Sequence, residues 1–337
     1  MSIKILYEKL LEPTQSLIES IARLDGDIVI LGVGGKMGPS LAKLAKRAVD
    51  IAGVQKNIIG VARFSEPGLK DELEQEGITT FTADLLNDSD LQRLPNARNV
   101  LYLAGTKFGT TGKESFTWAM NTYLPGRVAE KYKESRIVVF STGNVYPLVS
   151  TESSGANEEQ APLPLGEYAQ SCLGRERVFQ YFSQQHQTPI LIYRLNYAND
   201  VTYGVLSDIA LAVKNQHPID LRMGYVNIIW QQDANEIALR SLNHCSVPSK
   251  ILNVTGTKKL SVRQLAAEFG KIFNREPVFI NSEQETALLS DASESRRLFG
   301  EPPVSVHQMI EVIAGWINEG GRLLNKPTHF QEREGKF

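Results

Sequence analysis

Seven residues, GVGGKMG, set Gly32, Gly35 and Gly38 at G-x-x-G-x-x-G spacing, directly after the apolar run IVIL and at the head of the segment PSLAKLAKRAV. That spacing serves phosphate chemistry. The first glycine permits a tight turn from strand to helix. The second lets backbone N–H groups approach a pyrophosphate at the helix N-terminus, and the third lets helix and strand pack closely. Gly32, Gly35, Lys36, Met37 and Gly38 are therefore expected to hold a dinucleotide; the bland alternative is an ordinary glycine-rich turn. The next strand ends GVARFS, and Ala62 stands where a carboxylate commonly holds the adenosine ribose, with Arg63 beside it. A missing carboxylate next to a guanidinium suits a 2′-phosphate, because arginine offers a planar fork to phosphate oxygens. NADP is thus expected ahead of NAD, the alternative being that Arg63 is a plain solvated strand-end residue.

Such a loop works only between a buried strand and a helix, and the chain supplies both in repetition. After DIVILGVGG, the helical LAKLAKRAVDIAG leads to the strand NIIGVARF, and LKDELEQEG, a helix ending at Gly77, to the strand ITTFTA. The short helix DSDLQRL precedes the strand NVLYLAG, and the helix WAMNTYLPGRVAEKYKES precedes the strand RIVVFSTG. Strict alternation with continuous apolar strands predicts an α/β fold, a Rossmann-type doubly wound parallel sheet covered on both faces. The stretch PLVSTESSGANEEQAPLPLGE reads as a long functional loop. A helix from about Tyr168 to Gln185 and the strand PILIYRL follow it. Beyond Asn199 the pattern loosens into a smaller C-terminal substrate lobe with the amphipathic helices LSVRQLAAEFGKIF and VHQMIEVIAGWINEG. At the other end, Leu6, Leu10, Leu17, Ile21 and Leu24 mark an extra helical segment broken or kinked at Pro13. The expected organisation is an N-terminal segment 1–26, a dinucleotide-binding domain 27–200, a lobe 201–325 with some return to the sheet, and a tail 326–337.

Composition narrows the class. Of 337 residues 42% are apolar and 22% charged, an ordinary globular balance. A formal charge of −2 offers no electrostatic case for nucleic acid or a membrane surface. No apolar run approaches the roughly 20 residues of a membrane span, and the N-terminus lacks a signal-peptide pattern. Cys172 and Cys245 form no framework, which suits a reducing compartment. The five histidines show no ligand spacing, so no metal site is expected. A soluble, cytoplasmic protein is the resulting expectation.

Further segments follow the glycine loop in order: ADLL, YLAGTKFG, WAMNTY, VVFSTGNVY, EYAQSC and ILNVTG followed by LSVRQLAAEFG. With them the chain resembles, over residues 27–320, the extended short-chain dehydrogenase/reductases, the NAD-dependent epimerase/dehydratase family typified by UDP-galactose 4-epimerase. The resemblance implies that Asp84 and Leu85 lie at the adenine ring, that Leu103, Ala104, Gly105 and Lys107 neighbour the cofactor, and that Asn121 is the structural asparagine of its helix. It assigns the catalytic Ser/Thr position to Thr142, four residues before Tyr146, and the catalytic tyrosine to Tyr168, 26 positions after Thr142. It also implies a homodimer through WAMNTYLPGRVAEKY and YAQSCLGRERVFQYF.

In the family a lysine follows the tyrosine by four positions; here that position is Cys172. A phenol has an ordinary pKa near 10 and needs a nearby positive charge to act as a base near neutrality. A thiol supplies none, so three readings stand: Lys107 or Arg175 substitutes; Tyr168 serves only as a neutral acid, or the chemistry lies elsewhere; or catalysis is lost and the fold is a silent NAD(P)-binding sensor or partner-binding subunit. Cys172 itself could equally be a small buried helix residue. On the substrate side YRLNYAND puts Tyr197 at the family's asparagine offset and Asn196 one place early. The basic residue that precedes the family's paired acids is missing from GYVNIIWQQDAN, where only Asp233 remains. A free sugar, sugar acid or other small polyol derivative is therefore expected ahead of a UDP-sugar. Asn144, Asn196, Tyr197, Tyr203, Asn227 and Trp230 are the candidate substrate residues, with Trp230 as simple core the alternative. The expected reaction is an NAD(P)-dependent oxidation, reduction or epimerisation of a carbohydrate-like hydroxyl or ketone.

Overall fold

The apolar runs form seven parallel strands. They are β1 (Ile28–Leu31), β2 (Ile58–Ala62), β3 (Thr79–Thr82), β4 (Asn99–Tyr102), β5 (Arg136–Thr142), β6 (Ile190–Leu195) and β7 (Lys250–Val254), in the order β7-β6-β5-β4-β1-β2-β3. A computed structural model describes residues 2–107 and 112–336. The chain runs outward from β1 in one direction, then returns to β4 on the other side. Between β1 and β4 the connections leave to opposite faces, and the crevice beyond the carboxyl ends of these strands is where such sheets bind ligands.

Strand side chains alternate between faces. Ile28 and Ile30 join the core beneath α2 (Gln15–Arg23) and α3 (Gly38–Ala52), whereas Val29 and Leu31 join the opposite one. The first face also takes apolar side chains of α4 (Leu69–Gln75), the second those of α5 (Asp88–Arg93). Both faces are covered, so the strands read as unbroken apolar runs. The helix expected after β4 is three pieces: α6 (Glu114–Trp118), a π-helical turn Ala119–Tyr123, and α7 (Leu124–Lys131). π-turns inside helices often mark functional sites, and this one carries Asn121. The long loop contributes one two-residue strand, Val149–Ser150, before α8 (Gly166–His186). Glu176 of α8 is fully buried, accepting from Ser141 Oγ (2.6 Å) and from Arg194 Nε and Nη2 (2.9 and 2.6 Å). This pair locks the helix onto β5 and β6.

The lobe has its own core. It is built from α9 (Val205–Lys214), α11 (Val262–Phe273) and α13 (Val306–Asn318). Helix α10 (Gln231–Ser241) instead lies on the sheet, and α12 (Ser293–Phe299) contacts β7. The N-terminal segment is two helices, α1 (Ile3–Lys9) and α2, because Pro13 cannot donate within a helix and Thr14 caps the second, accepting from Leu17 N at 3.2 Å. Helix α1 packs on the lobe and α2 on the sheet layer, so the segment straddles the two. Residues 327–336 form no helix or strand, yet they are fixed. Thr328 donates to Asp208 through its N–H and hydroxyl (2.8 and 2.6 Å), Phe330 is buried, and Arg333 donates to Thr286 O and Oγ1 (both 2.6 Å). No described helix is long and apolar enough to cross a membrane.

Candidate active site

The glycine loop closes on the sheet. Gly32 has φ +89°, and a Cβ there would lie 2.7 Å from Ala104 N, so the loop and the end of β4 touch through backbone alone. A Cβ on Gly38 would overlap the Val33 carbonyl. Gly35 is exposed, and a Cβ there would lie 3.3 Å from Gly32 O. Helix α3 opens at Met37 with no side-chain cap, so its positive dipole end faces the glycine turn. Two adjoining cavities share Gly35 and Leu103. One, about 210 Å³, is lined by Gly32, Ala62, Arg63, Asp84, Leu85, Ala104 and Gly105. The other, about 270 Å³, is lined by Lys36, Met37, Lys107, Thr142, Asn144, Tyr168, Asn196, Tyr197 and Tyr203. Such a two-compartment cleft over a bare glycine turn fits a dinucleotide, the adenosine end in the first cavity and the reactive end in the second. Gly35→Asp is expected to weaken NAD binding roughly 30-fold or more, because its carboxylate would stand where the pyrophosphate belongs. Fluorescence titration of the folded variant checks this, and unchanged affinity would remove the phosphate-binding role of the loop.

Thr142 ends β5 and its hydroxyl accepts from Asn144 N at 3.1 Å. Tyr168 sits in the first turn of α8, half-buried, its phenol in contact with the Thr142 hydroxyl and the Cys172 thiol. Burial pushes the phenol well above the ordinary range. The Cys172 thiol pushes the same way, while the Arg175 charge and the Thr142 hydroxyl oppose them. Cys172 is buried, and burial raises its thiol as well. Lys107, from the loop after β4, brings its ammonium to 5.7 Å from the centre of the Tyr168 ring. Desolvation lowers that ammonium to about 8, with Cys172 acting in the opposite sense. Lys107 thus brings a cation near the Tyr168 ring.

Arg175 has a different job. Its guanidinium donates to Phe140 O (2.7 Å), Asn121 Oδ1 (2.8 Å) and Asn121 O (3.4 Å), fully inside the protein. Asn121 in turn exchanges two 2.9 Å hydrogen bonds with the backbone of Thr106 and donates to Ser171 Oγ at 3.0 Å. The π-turn, α8 and the Thr106–Lys107 backbone are clamped together by this pair. Asn121 is therefore a positioning residue and not part of the cavity wall.

Of the candidate substrate residues, Asn144, Asn196, Tyr197 and Tyr203 come together in the larger cavity. Tyr197 does so with φ +45°, a strained backbone for a bulky side chain. Asn227 and Trp230 do not join them. Asn227 is buried, donating to Lys258 O (3.3 Å) and accepting from Ser290 N (2.9 Å). Trp230 is fully buried, donates to Leu10 O (3.3 Å) and packs edge-on against Tyr7 of α1. Asp233 accepts from Val304 N at 3.1 Å, also away from the cleft. Lys36, read in the sequence as part of the dinucleotide loop, also lines this cavity, and Thr328, delivered by the tail, joins the wall without any sequence signal.

The architecture has many parallels among solved structures. UDP-glucuronic acid 4-epimerase from Bacillus cereus in complex with NAD superposes with a TM-score of 0.72 at 20% identity, covering 87% of this chain and 97% of that one. UDP-glucose 4-epimerase from Thermus thermophilus, also with NAD, gives 0.68 at 16% identity over 86% and 97%. An epimerase from Methanothermobacter thermautotrophicus gives 0.71 at 18% identity over 92% and 97%. At these identities the likeness is one of fold. No curated protein matches the sequence. The family model of NAD dependent epimerases and dehydratases, however, matches residues 28–200, the whole stretch from β1 through the helix that carries Tyr168 to just past β6. That stretch is more than half the chain and contains the glycine loop, Thr142 and Tyr168. The chain thereby belongs to the NAD dependent epimerase/dehydratase family.

Proposed function

We propose that this protein oxidises, reduces or epimerises a hydroxyl or ketone carbon of a small free sugar or sugar derivative, with Thr142 and Tyr168 at the reacting oxygen and Lys107 in the role usually given to the lysine of the tyrosine helix. The single observation that carries the reading is the Lys107 ammonium 5.7 Å from the Tyr168 ring, beside the cysteine that replaces that lysine. Gly32, Gly35, Met37 and Gly38 would hold the dinucleotide through backbone, with Asp84 and Leu85 at its adenine. When bound, the nicotinamide accepts or returns a hydride at the substrate carbon. The chain's own part is proton handling. Thr142 holds the substrate oxygen, and Tyr168 gives it a proton in reduction or takes one in oxidation. For the second direction the phenolate must be reachable, which burial opposes and a charged Lys107 assists. UDP-glucuronic acid and UDP-glucose are named for the fold relatives; here the absence of a basic residue ahead of Asp233 favours a substrate without the nucleotide. The test is turnover of a panel of free sugars, sugar acids and polyols with NAD, NADP or their reduced forms. Turnover of UDP-sugars alone would refute the small-substrate reading, and no turnover with any class would favour a silent nucleotide-binding protein.

The adenosine end supports a preference for the 2′-phosphate. Arg63 is exposed and lines that compartment, and no carboxylate ends β2. Glu66, the acid nearest in sequence, also lines it and pairs with Arg322 at 3.4 Å. Arg63→Ala is expected to weaken NADP more than NAD by roughly 1.5–3 kcal/mol, read as the ratio of the two dissociation constants. Equal losses would show that Arg63 does not read the phosphate. The same reading includes a homodimer through α7 and α8 and the π-turn before them, which leave Tyr123 and Tyr181 more than 60% exposed; its measurement is the mass in solution.

A further inference from the structure

Backbone does the phosphate work of a glycine loop, so the side chain between its second and third glycines is free to serve another purpose. At this place the chain carries Lys36. The side chain turns away from the adenosine compartment and lines the substrate compartment, in company with Thr142 and Tyr168. Its ammonium lies 3.5 Å from the centre of the Tyr203 ring and donates to Ala198 O at 3.3 Å.

Among the described residues Lys36 forms no ion pair. The acids whose charge reaches it are Asp200 and Asp208, and both are engaged. Asp200 accepts from Tyr7 OH (3.0 Å) and from Thr202 N and Oγ1 (3.1 and 2.9 Å). Asp208 accepts from Thr328 N and Oγ1. The other charge that reaches it is Lys107, which repels it. Lys36 and Lys107 both line this cavity, whose wall carries no carboxylate; Lys36 also borders an adjoining cleft of about 770 Å³ that Asp200 and Glu66 line. A lysine that lines a cleft without a carboxylate partner, its ammonium set over the Tyr203 ring, is a recognition group for an anion. Beside it the Asn144 side-chain amide lines the same cavity and makes no hydrogen bond among the described residues, so it offers both a donor and an acceptor.

We infer that the substrate carries a carboxylate, and that Lys36 takes it while Thr142 and Tyr168 take the reacting oxygen. The substrate class is then a sugar acid, an aldonate or uronate without a nucleotide. A single lysine point charge over an aromatic face suits one carboxylate better than a phosphate ester, since no guanidinium lines the cavity. The inference rests on the small-sugar reading above and narrows it.

The experiment is calorimetric titration of the full-length protein saturated with NAD, using D-gluconate and D-galacturonate, their neutral partners D-glucitol and D-galactose, and D-glucose 6-phosphate. At least one acid is expected to bind about 10- to 100-fold more tightly than its neutral partner. Lys36→Met is expected to erase most of that ratio, and Lys36→Arg to keep part of it. Neutral sugars binding as tightly as the acids, or phosphate binding in place of the acids, would overturn the Lys36 inference and leave the small-sugar reading standing. An acid preference that survives Lys36→Met would overturn it too. If no sugar of any class binds while NAD does, both fall. Titration of NAD into Lys36→Met completes the test: a loss of NAD affinity exceeding the loss for the acids would assign the ammonium to the cofactor's phosphates and overturn the proposal.

Discussion

Tyr168→Phe is expected to lower turnover about 10²- to 10⁴-fold, the range of a lost general acid/base. The change removes one oxygen and leaves the ring, so the apolar contacts with Val145, Tyr146 and Cys172 persist. It does remove the hydroxyl that meets Thr142 and Cys172, a loss of about 0.5–1.5 kcal/mol per hydrogen bond in folding stability, and thermal melting separates that from the loss of turnover. Substrate affinity should change far less than turnover, because the proton is moved only as the transition state forms. Thr142→Ala is the companion. Its hydroxyl touches the phenol and accepts from Asn144 N, so its loss should reduce turnover and loosen the turn after β5. Full activity in both variants would move the chemistry away from this helix, and the enzyme reading built on it would be abandoned. Turnover is measured at saturating cofactor and substrate across pH, with whichever sugar the binding panel reveals.

The parts legible in the sequence are those set by short-range rules. A continuous apolar strand, a glycine turn and a helix lie within about twenty residues of one another, and each obeys local sterics, so β1, Gly32 and α3 could be read directly. The alternation of strands and helices made the parallel, doubly wound class legible in the same way, since a parallel strand needs a crossover; the order of the strands in the sheet came from the structure. Thr142 and Tyr168 were marked by the family resemblance, and they lie together because one ends β5 and the other begins α8. What escaped depends on distant contacts. Trp230 sits in a polar-flanked stretch that reads as cavity wall, yet α1, some 220 positions earlier, covers it through Leu10 and Tyr7. Asn227 is claimed by Ser290 and Lys258. Thr328 reaches the cavity only because Asp208 anchors a tail without periodicity. Arg175, one turn beyond Cys172, reads as a second cation for the phenol, and its charge does favour the phenolate. Its donors are nevertheless consumed by Asn121 and Phe140, contacts that no helical spacing announces.

Lys107→Met is expected to lower kcat/KM for oxidation roughly 10²-fold at neutral pH, the share a positioned charge contributes to proton transfer. The pH profile distinguishes this from mere damage. Desolvation holds the Lys107 ammonium at about 8, so the charge is present below that value and is lost as pH rises through it. An enzyme that relied on free ionisation of the phenol would gain activity steadily with alkali. This one should instead lose oxidation rate above about pH 8, and Lys107→Met should abolish that fall along with most of the rate. Methionine keeps the length of the stem, and Asn121 and Arg175 hold the Thr106 backbone, so the loop has no reason to move. Position 172 provides the converse. In Lys107→Met, adding Cys172→Lys returns a cation to the tyrosine helix one turn from Tyr168, because residues four apart share a helix face, and part of the lost rate should reappear. In the otherwise unchanged protein Cys172→Lys adds a second ammonium to an occupied place, and activity should stay level or fall. A sharp gain there would mean that the natural site lacks a working cation. Lys107 would then be a bystander, and the silent nucleotide-binding alternative would be the better account of Cys172.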